Sequence, residues 1–256
     1  MPARKKISTE TIVLAALFLF ALGVGGYSLY VWQMEKRAGY AHYPGFGIAL
    51  PTDYEIHGID VSHHQSVISW NDVKQMRVKD VKLGFALIKA TEGLSFVDWQ
   101  YGRNWRNAKK AGMPRGAYHY FIPTLSGKQQ AEHFIRTVQL EKGDLPPVLD
   151  IEEIRGAKPD DLAKRAMDFL RTLESYYGVR PLLYTNVDFY KRYLGREFDA
   201  YPLWVAHYIQ RNSPRINRNW TLWQHSERGR VNGITTAVDF NVFNGDSSSF
   251  NGLLIK

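Results

Sequence analysis

Residues 146–152 read Pro146-Pro147-Val148-Leu149-Asp150-Ile151-Glu152. In a β-strand, residues two apart point to the same side, about 6.5 to 7 Å from one another. A strand over 147–152 therefore puts Val148, Asp150 and Glu152 on one face and Leu149 and Ile151 on the other. The apolar pair suits packing against helices; the two acids suit a cavity. An exposed acidic turn before the next helix is the plainer alternative, since Glu153 and Asp160 lie close by.

Outward from this stretch the chain alternates. Further strand-like runs occur at 57–62, 85–91, 116–121 and 182–185, with 203–208, 221–225 and 238–242 after them. Helix-like stretches occur at 70–79, 101–111, 127–140, 159–177 and 187–194. Strand–helix alternation implies a parallel sheet. Eight strands and about five helices imply an α/β fold, a closed but irregular TIM-like β/α barrel that lacks helices in its last part. An open doubly wound sheet is the alternative, but no Gly-rich phosphate loop follows the first strand.

In such a barrel the reactive groups gather at the carboxyl ends of the strands. Asp60 closes His57-Gly-Ile-Asp-Val-Ser62, Asp150 and Glu152 close the quoted strand, Asp239 sits in Val238-Asp-Phe-Asn-Val-Phe243, and Glu92 follows Lys89-Ala-Thr. Neighbouring carboxylates push each other's pKa apart, so one can hold a proton while another is ionised. Glycoside hydrolysis uses such a pair. On this reading Glu152 holds the proton and Asp150 stays largely ionised.

The segments 58–65 (GIDVSHHQ), 88–93 (IKATEG), 111–120 (AGMPRGAYHY), 148–152 (VLDIE), 203–206 (LWVA), 222–225 (LWQH) and 238–243 (VDFNVF) resemble, in order, glycoside hydrolase family 25 lysozymes. The resemblance covers nearly all of 57–245. It implies an irregular β/α barrel and metal-free cleavage of the β-1,4 bond from N-acetylmuramic acid to N-acetylglucosamine in peptidoglycan. It implies Glu152 as general acid/base and Asp150 as its partner, with Asp60 and Asp239 completing the acidic cluster. Tyr118, Tyr120, Tyr184, Trp204, Tyr208 and Gln224 would line the sugar groove, and Lys89 and Glu92 would form a polar pair beside it. Core packing is the alternative for Tyr118, Tyr120 and Trp204. The family leaves two nucleophiles open, a carboxylate or the substrate's own acetamido group. The loops around 193–201 and 210–219 match nothing in the family pattern.

Rival readings are a chitinase-like glycosidase with D-x-D-x-E, against which Val148 stands at the first acid position, and a non-catalytic membrane-tethered wall-binding protein, against which all four acids stand. His57, His63 and His64 flank Asp60, but their short spacing does not suit a converging ligand set; no metal and no cofactor are expected. The chain has no Cys, which removes thiolate chemistry and disulfides. Its net charge of +8 favours anionic partners such as cell wall or lipid. No nucleic-acid motif or long Lys/Arg block is present, so no nucleic-acid partner is expected.

Residues 12–32 carry no charge and are long enough to span a bilayer. Arg4, Lys5 and Lys6 before them place residues 1–11 in the cytoplasm, and Tyr27, Tyr30 and Trp32 mark the far interface. The expectation is a single-pass anchor in the cytoplasmic membrane, with the catalytic domain (56–256) outside the cell. Secretion after signal cleavage is the alternative. Residues 33–55, with Gly39, Pro44, Gly45, Gly47 and Pro51, read as an irregular linker. A chain beginning near Thr52 is then expected to be soluble and active.

Overall fold

A computed structural model describes residues 9–208, 210 and 212–256. The basic cluster Arg4, Lys5 and Lys6 lies outside these residues, as does Arg211 in the loop 210–219. Helix α1 spans Thr9–Ala38. Within it Val13–Gln33 is apolar and long enough to cross a membrane, and none of that window is buried against the rest of the chain. Gly39, at φ +67°, turns the chain out of the helix in a conformation that favours glycine.

Within the stretch expected to be irregular, residues 40–51 form a β-hairpin. Strand Tyr40–Tyr43 pairs antiparallel with Ile48–Pro51. The Pro and Gly residues that argue against regular structure make its turn, with Gly47 at φ +68°. The hairpin is part of the folded body: Phe46 and Leu50 are fully buried. Phe46 meets Phe240 at 5.2 Å between ring centroids, and its carbonyl accepts from the Arg230 amide at 2.8 Å.

The barrel strands are β1 (His57–Val61), β2 (Val81–Glu92), β3 (Arg115–Tyr120), β4 (Val148–Asp150), β5 (Leu182–Asn186), β6 (Leu203–Ala206), β7 (Leu222–Gly229) and β8 (Val238–Phe243). They close in the order β1-β8-β7-β6-β5-β4-β3-β2, with β2 returning to β1. Every neighbouring pair is parallel except those made by β8, which runs antiparallel to both β7 and β1. The helices α2 (Trp70–Gln75), α3 (Tyr101–Lys110), α4 (Gly127–Thr137) and α5 (Pro159–Tyr177) follow the first four strands. Helix α6 (Val187–Phe189) continues as a π-helical turn over Tyr190–Leu194. Helix α2 ends short of the expected Lys79 because Arg77–Val78 pairs back onto Val81–Lys82. A C-terminal helix, α7 (Ser247–Leu253), has no counterpart in the sequence reading; Asp246 and Ser249 cap it reciprocally.

Alternation along the strands separates two apolar layers. Ile59, Ala86, Ile88, Leu149, Ile151, Leu183, Leu203 and Phe240 belong to the outer one, which reaches the helices. Phe85, Leu87, Val148, Leu182, Leu222 and Phe243 fill the barrel interior. Gly58 leaves room for this filling, because a Cβ there would stand 2.5 Å from the Phe85 ring. Phe250 of α7 packs on Phe85 and Phe243 and plugs the end from which the parallel strands start. Where β6–β8 lack helices, the N-terminal hairpin covers the outer surface: Tyr40 packs edge-on against Trp223 and His225.

Candidate active site

The inward positions change character along the barrel. Near the closed end they are Phe, Leu and Val; at the mouth they are acids, amides and tyrosines. Asp60, Lys89, Tyr118, Tyr120, Asp150, Glu152, Tyr184, Trp204, Tyr208, Gln224 and Asp239 line one cleft of about 270 Å³. Larger depressions exist, one of about 830 Å³ at α4 and α5, but they hold no such convergence of buried acids.

Asp239 reaches this cleft for a different reason from the other acids. A parallel β8 would carry it, as the second residue of the strand, to the closed end. Because β8 is antiparallel, its start is at the mouth, and Asp239 stands directly opposite Asp60. Their carboxyls are hydrogen-bonded to each other, and burial first, then Asp60, raises Asp239 to about 9. Asp239 therefore holds the proton of the pair at neutral pH. Asp60 also accepts from Gln224 Nε2 at 2.9 Å and from Asn241 Nδ2 at 2.7 Å, both on Oδ2.

Two further layers hold those amides. Gln224 Oε1 accepts from the hydroxyls of Tyr184 (2.8 Å) and Tyr208 (2.7 Å). The Trp204 indole N–H donates to Asn241 Oδ1 at 2.7 Å, and its ring lies 4.2 Å from that of Tyr184. Trp204 is 1% exposed, so it supports the cleft floor and offers no free stacking face. Tyr118 is similarly enclosed, whereas Tyr120 and Tyr208 keep surface open to the cleft. Lys89 Nζ donates to Glu92 at 2.7 Å and lies 4.8 Å from the centre of the Tyr120 ring. Glu92 holds this lysine from outside the cleft lining.

Asp150 and Glu152 both line the cleft, but the strand ends at Asp150 and Glu152 stands beyond it, toward the opening. Asp150 is buried and its Oδ1 has no hydrogen-bond partner. Burial, and then the charge of Glu152, push its carboxyl well above the usual range. Glu152 is also raised, by burial and then by Glu153 and Asp60. The expectation of an ionised Asp150 is thus corrected for the free protein. Burial is the stronger influence, and Asp150 is the more enclosed acid.

Sequence reading passed over Asn241, Ser62 and Glu227. Asn241 was legible: it lies two residues from Asp239 and so shares its strand face. Ser62 and Glu227 follow from loop and bulge geometry, for which the sequence carries no local signal. The histidines do not converge. His57 sits at the closed end of β1, opposite Leu83 and Val242. His63 stacks between His64 and Trp99, and its Nδ1 lies 2.6 Å from Asp98. Burial lowers His57 to about 4 and His225 to about 3, so both are neutral at pH 7.

The acid pair has a consequence for stability. A carboxyl raised on folding binds its proton more tightly in the folded state than in the unfolded one. Stability then falls as pH rises from the unfolded value near 4 to the folded value near 9. Asp239→Asn removes that titration and keeps a hydrogen-bonding group opposite Asp60. Thermal melts between pH 4.5 and 9 should show a shallower fall for the variant than for the parent chain. Parallel curves would show that Asp239 does not hold the proton.

Residues 59–234 match the family described as glycosyl hydrolases family 25. The chain is 46% identical over 207 residues to the uncharacterized protein YegX of Escherichia coli (strain K12), covering 81% of this chain and 76% of that one. It is 35% identical over 209 residues to Lysozyme M1 of Streptomyces globisporus, covering 75% and 69%. Among solved structures, a family 25 glycosyl hydrolase from Bacillus anthracis superposes with a TM-score of 0.73 at 35% identity, covering 79% of this chain and 95% of that one.

Proposed function

This chain belongs to glycosyl hydrolase family 25, and from that premise we infer that it is a peptidoglycan hydrolase of the lysozyme type. It cleaves the β-1,4 bond from N-acetylmuramic acid to N-acetylglucosamine. The observation that carries the reading is the meeting of Asp60, Asp150, Glu152 and Asp239 in one cleft, with their carboxyls raised by burial and by one another.

Glu152, the acid nearest the opening, donates its proton to the glycosidic oxygen as the bond to the leaving sugar breaks. The sugar ring then carries positive charge, which the surrounding carboxylates stabilise. Asp150 has one enclosed oxygen without a donor, and a buried acceptor in that state is costly unless something fills it. An amide N–H from the 2-acetamido group fits that need. Such a bond would favour the ionised form of Asp150 and aim the acetamido oxygen at C1. This supports the acetamido group as nucleophile over a direct carboxylate attack. Water then opens the cyclic intermediate, with Glu152 taking the proton back. Asp60 and Asp239, braced by Gln224 and Asn241, hold one shared proton and with it the local charge.

The test is mass analysis of purified peptidoglycan after digestion. Fragments with N-acetylmuramic acid at the reducing end are expected. N-acetylglucosamine at that end, anhydro products, or binding to wall without cleavage would overturn the reading.

Helix α1 is proposed as an uncleaved single-pass anchor, with residues 1–11 cytoplasmic and the barrel on the extracytoplasmic side. Its apolar window, unburied by the rest of the chain, supports this. The alternative is a signal sequence removed on export.

A further inference from the structure

Very little chain separates the apolar helix from the barrel. Helix α1 runs to Ala38, Gly39 makes the turn, and the hairpin begins at Tyr40. The Thr52 amide donates to the Gly39 carbonyl at 2.9 Å, which ties the two ends of the hairpin together. From Thr52 the chain feeds directly into the start of β1. Tyr54, on that short connection, packs on Trp220 and Trp223 with ring centroids 5.6 and 6.0 Å apart. Trp220 precedes β7, so this junction lies at the closed end of the barrel.

Charge is divided along the same axis. The mouth holds Asp60, Asp150, Glu152, Asp239 and Glu227. Exposed bases occupy the turns that enter the strands at the closed end: Lys82 at β2, Lys110 before β3, Lys142 before β4, Arg180 before β5 and Arg196 before β6. Lys256 joins them beside the plug helix, bonded to the Asn251 carbonyl. Among the described residues, several closed-end acids are already engaged: Asp144 by Arg115 at 2.8 Å, Glu141 by Lys109, and Asp199 by Arg218 at 3.5 Å. Asp53, Glu55 and Glu197 are the exposed acids that oppose the bases there.

We propose that the closed end of the barrel rests on an anionic phospholipid surface, so that the acidic cleft opens away from the bilayer. The proposal depends on the reading of α1 as an uncleaved anchor. Two independent features favour the same pose. The junction delivers the barrel to the membrane closed end first. Each base near an anionic surface gains roughly fivefold in local partition, within about 10 Å at ordinary ionic strength. The opposite pose would bring the cleft acids against like charge.

The absence of cysteine allows one label per molecule. Full-length chain carrying Lys142→Cys (closed end) or Thr235→Cys (in the loop between β7 and β8, at the mouth) is labelled with a fluorophore. It is reconstituted into vesicles of phosphatidylcholine alone, or with about one third phosphatidylglycerol, each containing a headgroup nitroxide quencher. Because these vesicles contain no wall, quenching reports lipid contact alone. In anionic vesicles the Lys142 label should be quenched about fivefold more than the Thr235 label. That difference should collapse in neutral vesicles, at high salt, or when Lys82, Lys110, Arg180 and Lys256 are changed to Glu. Equal quenching at both sites in anionic vesicles overturns the proposal. A closed-end preference indifferent to salt, lipid charge and the Glu substitutions also overturns it, since the tether alone would then set the pose. A chain that floats with neither vesicle overturns the anchor reading itself.

Discussion

Replacing Glu152 by glutamine is expected to lower hydrolysis of peptidoglycan by roughly 10²–10⁴-fold while leaving glycan binding in place. Glutamine keeps the shape and hydrogen-bonding reach of the side chain but has no proton to give the leaving oxygen. The residue is suited to the role by position as well as chemistry. It stands past the end of β4, partly open to the cleft, where a glycosidic oxygen can approach it. Burial, and then Glu153 and Asp60, raise its pKa above the ordinary carboxylate range. The alkaline limb of kcat/KM should therefore lie above that range, and it should be absent from the residual rate of the variant. Asp150→Asn should also damage turnover, because it removes an acceptor for the acetamido N–H and the charge that stabilises the cationic ring. Near-normal turnover of Glu152→Gln, with an unchanged melting temperature, would move the acid elsewhere, Asp150 being the first candidate.

The second large effect concerns the hairpin. A chain beginning at Gly39 should fold as a soluble, cooperatively melting domain, whereas one beginning at Thr52 should lose most of its stability. This revises the expectation that a start near Thr52 suffices. The shorter chain lacks Phe46 and Leu50, both fully buried, and Tyr43, 9% exposed. At about 1.5–3 kcal/mol for each large apolar side chain, that is roughly 4–8 kcal/mol. Total stabilities of about 5–15 kcal/mol set the scale. The deletion also uncovers Phe240, Trp223 and His225 on the side of the barrel that has no helices. Thermal melts of the two chains decide the matter; equal midpoints would show the hairpin to be an accessory.

What the sequence discloses and what it hides follow one rule: patterns carried by a single element are legible, and those set by a partner element are not. The eight barrel strands stand out because each alternates or runs apolar over a few residues. The direction of β8 does not, since a strand read backwards shows the same alternation. Asp239 was therefore picked as a mouth residue on an assumption that fails, and it arrives there through the antiparallel pairing with Asp60. The hairpin was hidden because Pro44, Gly45 and Gly47 signal a break equally in a linker and in a tight turn. Helix α7 was hidden because Ser247-Ser-Ser-Phe250 offers one apolar anchor and no period. The relative enclosure of Asp150 and Glu152 depends on where β4 stops, and strand ends are the least certain part of any sequence reading.

The pairing of β1 with β8 also bears on when activity can first exist. Asp60 lies near the beginning of the barrel sequence and Asp239 near its end, and the two meet only at the seam where the first strand takes the last as its neighbour. Contacts so distant along the chain close late, because the entropy of a long loop must be lost before they form. A chain still emerging during synthesis, or cut short before Val238, carries Asp150 and Glu152 but no closed ring around them. Wall-cutting capacity is in this way withheld from every partial product and conferred in a single final step of assembly.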